Sequence, residues 1–218
     1  MVNNSRSKVL VWMAWAIIIS VIVLDQWLKI WVKTHFYINE DLEITPWFHL
    51  HFVQNNGMAF GLDFLNKYIL TTLRLGLFGF LIWYITQLCR RAWIPIGYLV
   101  SIALIAAGAF GNIIDCVCYG EIFTNPYPPL TARLVPWGDG YGGVMQGLVV
   151  DMLYFPLFSF TWPGWIPFVG GSEFSFFDPV FNIADVAIST GMIAVVLFYF
   201  NLMEHSLEDE KPRKDSDN

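Results

Sequence analysis

Four stretches of the sequence are apolar over more than 20 residues each, and no other feature restricts the possible folds as strongly. A helix needs about 20 such residues to cross a hydrocarbon layer about 30 Å thick. Only 14% of the residues are charged and 56% are hydrophobic, which is typical of a chain surrounded by lipid. We therefore predict an α-helical integral membrane protein with four transmembrane helices, approximately at residues 9–31, 68–89, 93–115 and 179–202.

Basic residues at the short connections predict the orientation of these helices, because lysine and arginine resist translocation. They precede the first helix, fill the turn between the second and third, and follow the fourth, as Arg6, Lys8, Arg90, Arg91, Lys211, Arg213 and Lys214. Both termini are therefore predicted to be cytoplasmic. The first apolar stretch is longer than that of a typical cleaved signal peptide and lacks a small-x-small cleavage site, so we expect it to be retained.

The two long connections, residues 32–67 and 116–178, are then predicted to lie outside. Residues 48–53 alternate in character, which predicts a short strand, and the Asn55-Asn-Gly57 sequence after it favours a turn. The second connection is rich in proline, glycine and aromatic residues, so it is predicted to be irregular structure at the membrane interface. The polar tail, residues 204–218, is predicted to be disordered.

Acidic residues lie at similar depths in or beside the predicted helices. A charged group inside a span costs about 2.5 to 3.5 kcal/mol, so it persists mainly where it faces a cavity or a partner. Asp25 lies about 24 Å from the cytoplasmic end of the first helix, and Asp185 about 9 Å inside the outer end of the fourth. Asp115 ends the third helix, and Asp151 lies in the outer segment before the fourth. All four carboxylates can therefore meet at one level near the outer face.

The spacing of polar residues adds a second regularity, because residues three or four apart share one face of a helix. The pairs are Asp25 with Lys29, Asn112 with Asp115, and Asn182 with Asp185. The alternative is that these are helix-end residues whose side chains reach the headgroups. A shared site explains the common depth and face of the whole set better.

The sequence offers no pattern for a cofactor, a metal ion or nucleic acid. The four histidines lack the spacing of a metal-ligand set, and no glycine-rich phosphate loop is present. We predict no cofactor, no metal and no nucleic-acid partner. Cys89, Cys116 and Cys118 are too few for a disulfide framework and are predicted to serve packing.

Five motifs, taken in order, resemble those of the lipoprotein signal peptidases, the type II signal peptidases of bacteria, which are intramembrane aspartyl proteases. They are Asp25-Gln-Trp-Leu-Lys29, Asn55-Asn-Gly-Met-Ala-Phe-Gly61, Gly111-Asn-Ile-Ile-Asp115, Val149-Val-Asp151 and Phe181-Asn-Ile-Ala-Asp-Val186. The resemblance implies one membrane peptidase domain over residues 1–218, in the bacterial cytoplasmic (inner) membrane. It also implies a small periplasmic β cradle, a long periplasmic connection and an active site near the periplasmic face.

The resemblance further implies that Asp151 and Asp185 are the catalytic dyad. It implies substrate-binding or site-supporting roles for the remaining polar motif residues, which are Asp25, Lys29, Asn55, Gly57, Asn112, Asp115 and Asn182. The implied substrate is a diacylglyceryl-modified prolipoprotein embedded in membrane lipid, cut on the amino side of its lipidated cysteine. We expect the enzyme to be a monomer.

The sequence departs from the family pattern at two places. Cys116 stands where the family usually has an arginine, and Arg133 or Arg74 is a candidate to replace it. The stretch between Asp115 and Asp151 is longer than usual, so the implied role of Asp151 rests on its motif and its order in the chain.

Two carboxylates that share a site of low dielectric constant cannot both ionise cheaply, so one keeps a proton while the other activates water. Two other functions remain open from the residues alone. A small transporter or proton relay would use the same carboxylates and Lys29, although no ionisable residue lies between Val9 and Leu24. A non-catalytic scaffold could bind lipidated partners.

Overall fold

Three apolar helices are long enough to cross a membrane in the computed structural model, which describes residues 4–55, 67–91, 93–176 and 178–202. Helix α1 covers Asn4–His35, α2 covers Lys67–Leu88, and α3 covers Ile96–Ile114. A π-helical turn, Asp115–Tyr119, and the short helix α4, Gly120–Ile122, continue α3 without a break. Helical structure therefore continues a few residues beyond the approximate end predicted for the third span at Asp115. The helical structure can pass through the buried carboxylate of Asp115 because Lys29 compensates its charge.

The fourth apolar helix, α5, covers Ile183–Phe198 and is shorter than predicted. Residues Val180–Phe181 form strand β6 instead of a first helical turn, because they pair with another strand. Asn182 then begins α5 as its N-cap, accepting the backbone N–H of Asp185. At 16 residues, α5 lies below the length of about 20 that a perpendicular span requires.

Helix α3 is the centre of the bundle, and small residues bring α5 close to it. A Cβ atom at Gly108 would lie 2.2 Å from the carbonyl oxygen of Ala184, and one at Gly191 would lie 2.5 Å from that of Ser101. Such close approach through glycine is common between membrane helices. It brings the first turn of α5 against α3, near Asn112.

Large apolar side chains cover the outside of the bundle. Trp12 on α1 and Phe198 on α5 are each 74% exposed, and similar residues recur along α1, α2 and α5. A water-soluble protein rarely exposes apolar surface so continuously. This surface therefore suits contact with lipid.

A four-stranded antiparallel sheet lies at one end of the bundle, in the order β1, β2, β3, β6. Strand β1 covers Asp41–Thr45, β2 covers Phe48–Asn55 and β3 covers Val149–Tyr154. The predicted strand at residues 48–53 is confirmed. In the β2–β3 pairing Val53 is opposite Asp151, so the sheet carries one of the predicted dyad residues.

The connection predicted to be irregular contains more regular structure than expected. Besides β3 and β6, it forms a separate two-stranded hairpin of β4, Phe158–Thr161, and β5, Glu173–Phe176. Partner strands far away in sequence stabilise β3 and β6, and local pattern does not reveal them. Residues 56–57 of the predicted Asn55-Asn-Gly57 turn and the predicted disordered tail lie outside the described residues.

Candidate active site

A buried ion cluster joins α1 to α3 through the ammonium group of Lys29. Its Nζ atom lies 2.9 Å from Asp25 Oδ2 and 2.9 Å from Asp115 Oδ2, and it donates a 2.8 Å hydrogen bond to Asn112 Oδ1. Lys29, Asp25 and Asp115 are all buried. The predicted pairing of Asp25 with Lys29 is confirmed, and Asn112 and Asp115 meet at the same lysine.

The two carboxylates of this cluster also hold backbone amides of other elements. Asp25 Oδ1 accepts the N–H of Ala184 at 2.9 Å, and Asp115 Oδ2 accepts the N–H of Val150 at 3.2 Å. Ala184 directly precedes Asp185, and Val150 directly precedes Asp151. Each carboxylate of the cluster thus fixes the backbone immediately before one of the two predicted catalytic aspartates.

Two asparagine amides connect the side chains of Asp151 and Asp185. Asn182 Nδ2 donates to Asp151 Oδ1 at 2.6 Å and to Asn112 Oδ1 at 3.2 Å. Asn112 Nδ2 donates to Asp185 Oδ1 at 2.9 Å. Asn55 Nδ2, at the end of β2, donates to the other oxygen of Asp151. The two carboxyl groups are therefore oriented by a continuous network of amides.

A capping box at the start of α5 fixes Asp185 further. The N–H of Asp185 donates to Asn182 Oδ1 at 3.0 Å, and the N–H of Asn182 donates to Asp185 Oδ2 at 3.3 Å. Such a reciprocal cap satisfies two backbone donors that the first turn of a helix would otherwise leave open. The Asn-x-x-Asp spacing predicts that both residues share one face, and the same two residues form the cap at which the helix begins.

The carboxyl group of Asp151 has an unusual affinity for its proton. Its pKa is raised to about 7: burial and the negative charge of Asp185 raise it, while the hydrogen bond from Asn182 and the charge of Lys29 oppose the rise. Asp151 lies on β3, outside the helices that could span a membrane. Near neutral pH the two carboxyl groups can therefore hold one proton between them, which suits acid and base roles in a single reaction.

Comparison with known proteins identifies the family. The family model described as signal peptidase (SPase) II matches residues 17–201, which is most of the chain. The chain belongs to the signal peptidase II family. The resemblance predicted from the five motifs is thereby confirmed, and the chain is a member of a peptidase family.

Curated relatives of this signal peptidase II chain extend over nearly its whole length. A protein named lipoprotein signal peptidase from Porphyromonas gingivalis is 41% identical over 210 residues, covering 91% of this chain and 92% of the relative. One of the same name from Amoebophilus asiaticus is 35% identical over 197 residues, covering 86% of this chain and 77% of the relative.

Solved structures support the fold. A bacterial membrane enzyme determined by the in meso method at 2.3 Å resolution superposes with a TM-score of 0.58 at 22% identity, covering 93% of this chain and 94% of that one. A second bacterial membrane enzyme, determined by the same method at 1.9 Å resolution, gives a TM-score of 0.52 at 21% identity.

Eight of the nine site residues predicted from the sequence meet in the network of this signal peptidase II chain. They are Asp25, Lys29, Asn55, Asn112, Asp115, Asp151, Asn182 and Asp185. Gly57 lies outside the described residues. The sequence interpretation missed Gln26, whose Nε2 donates to Asp115 Oδ1 at 2.9 Å. The sequence feature that could have identified Gln26 is its position beside Asp25 in the first motif.

Arg74 reaches the position where the family usually has an arginine. Its Nη1 atom lies 3.3 Å from the Sγ atom of Cys116, although the two residues belong to different helices. Arg133, the other candidate, is exposed, and its backbone N–H donates to Thr124 Oγ1. A guanidinium from α2 thus lies beside the thiol of Cys116.

Proposed function

We propose that this chain is an intramembrane aspartyl endopeptidase that removes signal peptides from diacylglyceryl-modified prolipoproteins, cutting on the amino side of the lipidated cysteine. Asp151 and Asp185 are its catalytic residues. The observation that carries the proposal is their joint orientation by Asn112 and Asn182, with the pKa of Asp151 raised to about 7. The family match and the relatives named lipoprotein signal peptidase support the substrate class.

In the proposed reaction the dyad begins with one proton. The ionised carboxylate takes a proton from a water molecule while the water oxygen attacks the scissile carbonyl carbon. The protonated carboxyl group donates a hydrogen bond to the carbonyl oxygen and stabilises the tetrahedral intermediate. A proton then passes to the leaving nitrogen as the C–N bond breaks, and the dyad again holds one proton. The proton belongs to the coupled pair and not to either aspartate alone.

The buried cluster has a positioning role in this proposal. Asp25 and Asp115 hold the backbone before each catalytic aspartate, and Lys29 compensates their charges. Charge compensation matters because an unpaired buried carboxylate is costly. Asn55 contacts Asp151 from β2 of the four-stranded sheet β1-β2-β3-β6, here named the cradle sheet. For Gly57 the supporting role remains an expectation from its motif.

We also propose four spans, with both termini cytoplasmic and the active site near the periplasmic face of the bacterial inner membrane. Helix α5 is then the fourth span. Its 16 residues extend about 24 Å, and Asp185 in its first turn belongs to the site, not to lipid. A dyad near the outer boundary can draw water from outside while the acyl chains of the substrate stay in the bilayer. The enzyme is proposed to act as a monomer without a metal or another cofactor.

Product analysis tests this activity. Purified protein is incubated with a diacylglyceryl-modified prolipoprotein and, separately, with the same precursor lacking the lipid, and the products are identified by mass spectrometry. We expect one cut, immediately before the modified cysteine, in the lipidated precursor only. Binding of the precursor without cleavage would favour the scaffold, and proton uptake by vesicles containing the protein would favour the transporter.

A further inference from the structure

The hairpin of β4 and β5 forms an arm that stands apart from the cradle sheet. The aromatic arm, residues 157–176, contains both strands and the loop between them, and its strands pair with each other in a sheet of their own. Backbone hydrogen bonds order its loop, with the N–H of Trp162 donating to Ser172 O and that of Gly171 to Trp162 O, each at 2.9 Å. The arm therefore has a defined shape up to its tip.

The tip presents two large aromatic side chains to its surroundings. Trp165 is 81% exposed, and Phe168 is fully exposed. Phe168 also has a φ of 70°, a conformation that bulky residues rarely adopt. Backbone strain of this kind persists mainly where a function requires it. In water, both the strained backbone and the exposed ring of Phe168 would cost free energy.

Charge is absent from the tip. The sequence from Leu157 to Ser172 contains no Asp, Glu, Lys or Arg. Exposed strands in water usually carry charges that prevent association, and an isolated two-stranded hairpin is marginally stable there. Glu173, at the start of β5, is the one charged residue in the sequence of the arm. The uncharged, aromatic tip is therefore suited to surroundings other than bulk water.

The arm is joined to both halves of the candidate active site by aromatic contacts at its base. Phe155 stacks on Phe48 of the cradle sheet and on Phe181 of β6, with ring centroids 4.9 and 5.7 Å apart. The arm leaves β3 shortly after Asp151 and returns to α5 shortly before Asp185. The arm thus leaves the end of the bundle at which α5 begins, and α5 carries exposed apolar side chains along its length.

We propose that the aromatic arm inserts Trp165 and Phe168 into the lipid leaflet nearest the active site. Tryptophan is enriched at the boundary between lipid and water, which matches its place at this tip. Because the tip has no basic residue, it fits zwitterionic lipid and needs no anionic headgroup. The lipid leaflet, and not a second copy of the chain, is the occupant of this surface.

A fluorescent label at the tip tests the insertion. Phe168→Cys is labelled with the environment-sensitive fluorophore NBD in a Cys118→Ser background, since Cys89 and Cys116 are buried. The protein is placed in phosphatidylcholine nanodiscs with and without lipid carrying a spin label near the headgroup. Glu43→Cys, at an exposed position on β1, is the matched control, and the Cys118→Ser protein alone is the labelling blank.

We expect blue-shifted emission that the spin-labelled lipid quenches at position 168, and neither effect at position 43. Emission at 168 that is quenched by aqueous iodide as strongly as at 43 would overturn the proposal. So would a blue shift that the lipid quencher does not reduce, because the tip would then be covered by protein, such as a second copy. None of these readouts depends on catalytic activity.

A consequence for catalysis rests on the proposed function. The double variant Trp165→Ser/Phe168→Ser should cleave a bilayer-embedded lipidated precursor with a higher KM, and the increase should be smaller when enzyme and precursor are dissolved in detergent micelles. Equal increases in both media would contradict a role of the arm in the bilayer. Absence of cleavage by the unaltered protein would refute the proposed function but leave the labelling result intact.

Discussion

Asn182→Ser should raise the pKa of the dyad without removing the cap of α5. The side-chain oxygen of Asn182 caps the N–H of Asp185, and its amide donates to Asp151 Oδ1 at 2.6 Å. Serine is as good an N-cap as asparagine, so the start of the helix is preserved. The amide donor of Asn182 favours the ionised form of Asp151, and the shorter serine side chain loses that donor. The pKa of Asp151 should therefore rise.

The magnitude follows from the strength of the lost bond. A hydrogen bond to a charged group contributes about 1.5 to 3 kcal/mol, and each 1.36 kcal/mol corresponds to about one pH unit. The pKa of Asp151, already raised to about 7, should therefore rise again. Activity requires one proton on the dyad, so it should decline above about pH 7 in the unaltered enzyme. In Asn182→Ser this decline should lie about one to two pH units higher.

The assay is the pH dependence of kcat/KM for a lipidated precursor between about pH 5 and 10, which reports the ionisations of the free enzyme. Asn182→Asp is the matched control, because it also keeps the cap but places another carboxylate beside the dyad. It should lower kcat/KM more strongly than Asn182→Ser does. An Asn182→Ser profile that superposes on that of the unaltered enzyme, or moves to lower pH, would refute the role of this hydrogen bond.

Three further predictions concern stability, measured as thermal unfolding in detergent. Lys29→Met should lower the free energy of unfolding by about 3 to 5 kcal/mol and abolish cleavage, because Asp25 and Asp115 lose their buried cation; an unchanged melting temperature would contradict the charge pairing. Lys33→Met should raise the melting temperature, since Lys33 Nζ is buried without a hydrogen-bond partner among the described residues; a lower value would show that its contacts with three aromatic rings outweigh desolvation. The raised pKa of Asp151 means that the protonated carboxyl group contributes its full stability below about pH 4, and that this contribution is lost as the pH rises through about 7. Asp151→Asn should therefore be more stable than the unaltered protein at pH 8 by about 2 to 4 kcal/mol. At about pH 4 the two proteins should differ little.

Local pattern predicts the polar pairs of the site well. The spacing of Asp25 and Lys29 depends only on the period of a helix, and the alternation at residues 48–53 depends only on the period of a strand. Both periods are properties of a single element. The polar residues assigned to one site by common depth do meet in the structure, because their cost in lipid requires partners.

Features that depend on distant partners were not predictable in the same way. Residues Val180–Phe181 are as apolar as the helix that follows, and only pairing with β3 makes them a strand. The bonds from the backbone N–H groups of Ala184 and Val150 to Asp25 and Asp115 leave no trace in sequence spacing, because every residue type except proline has a backbone N–H that can donate. The pairing of the two strands of the aromatic arm was not predictable either, because a proline- and glycine-rich loop separates them.

Cleavage by dyad variants tests the central claim most directly. Asp151→Asn and Asp185→Asn are compared with the unaltered enzyme and with Asp139→Asn, which changes an exposed aspartate between α4 and β3, after equal folding is verified by thermal unfolding. The measurement is the first-order rate of signal-peptide release from a lipidated prolipoprotein under excess enzyme. We predict that each dyad variant loses cleavage and that Asp139→Asn retains the full rate. Release at an undiminished rate by either dyad variant would contradict the assignment of Asp151 and Asp185 as the catalytic pair.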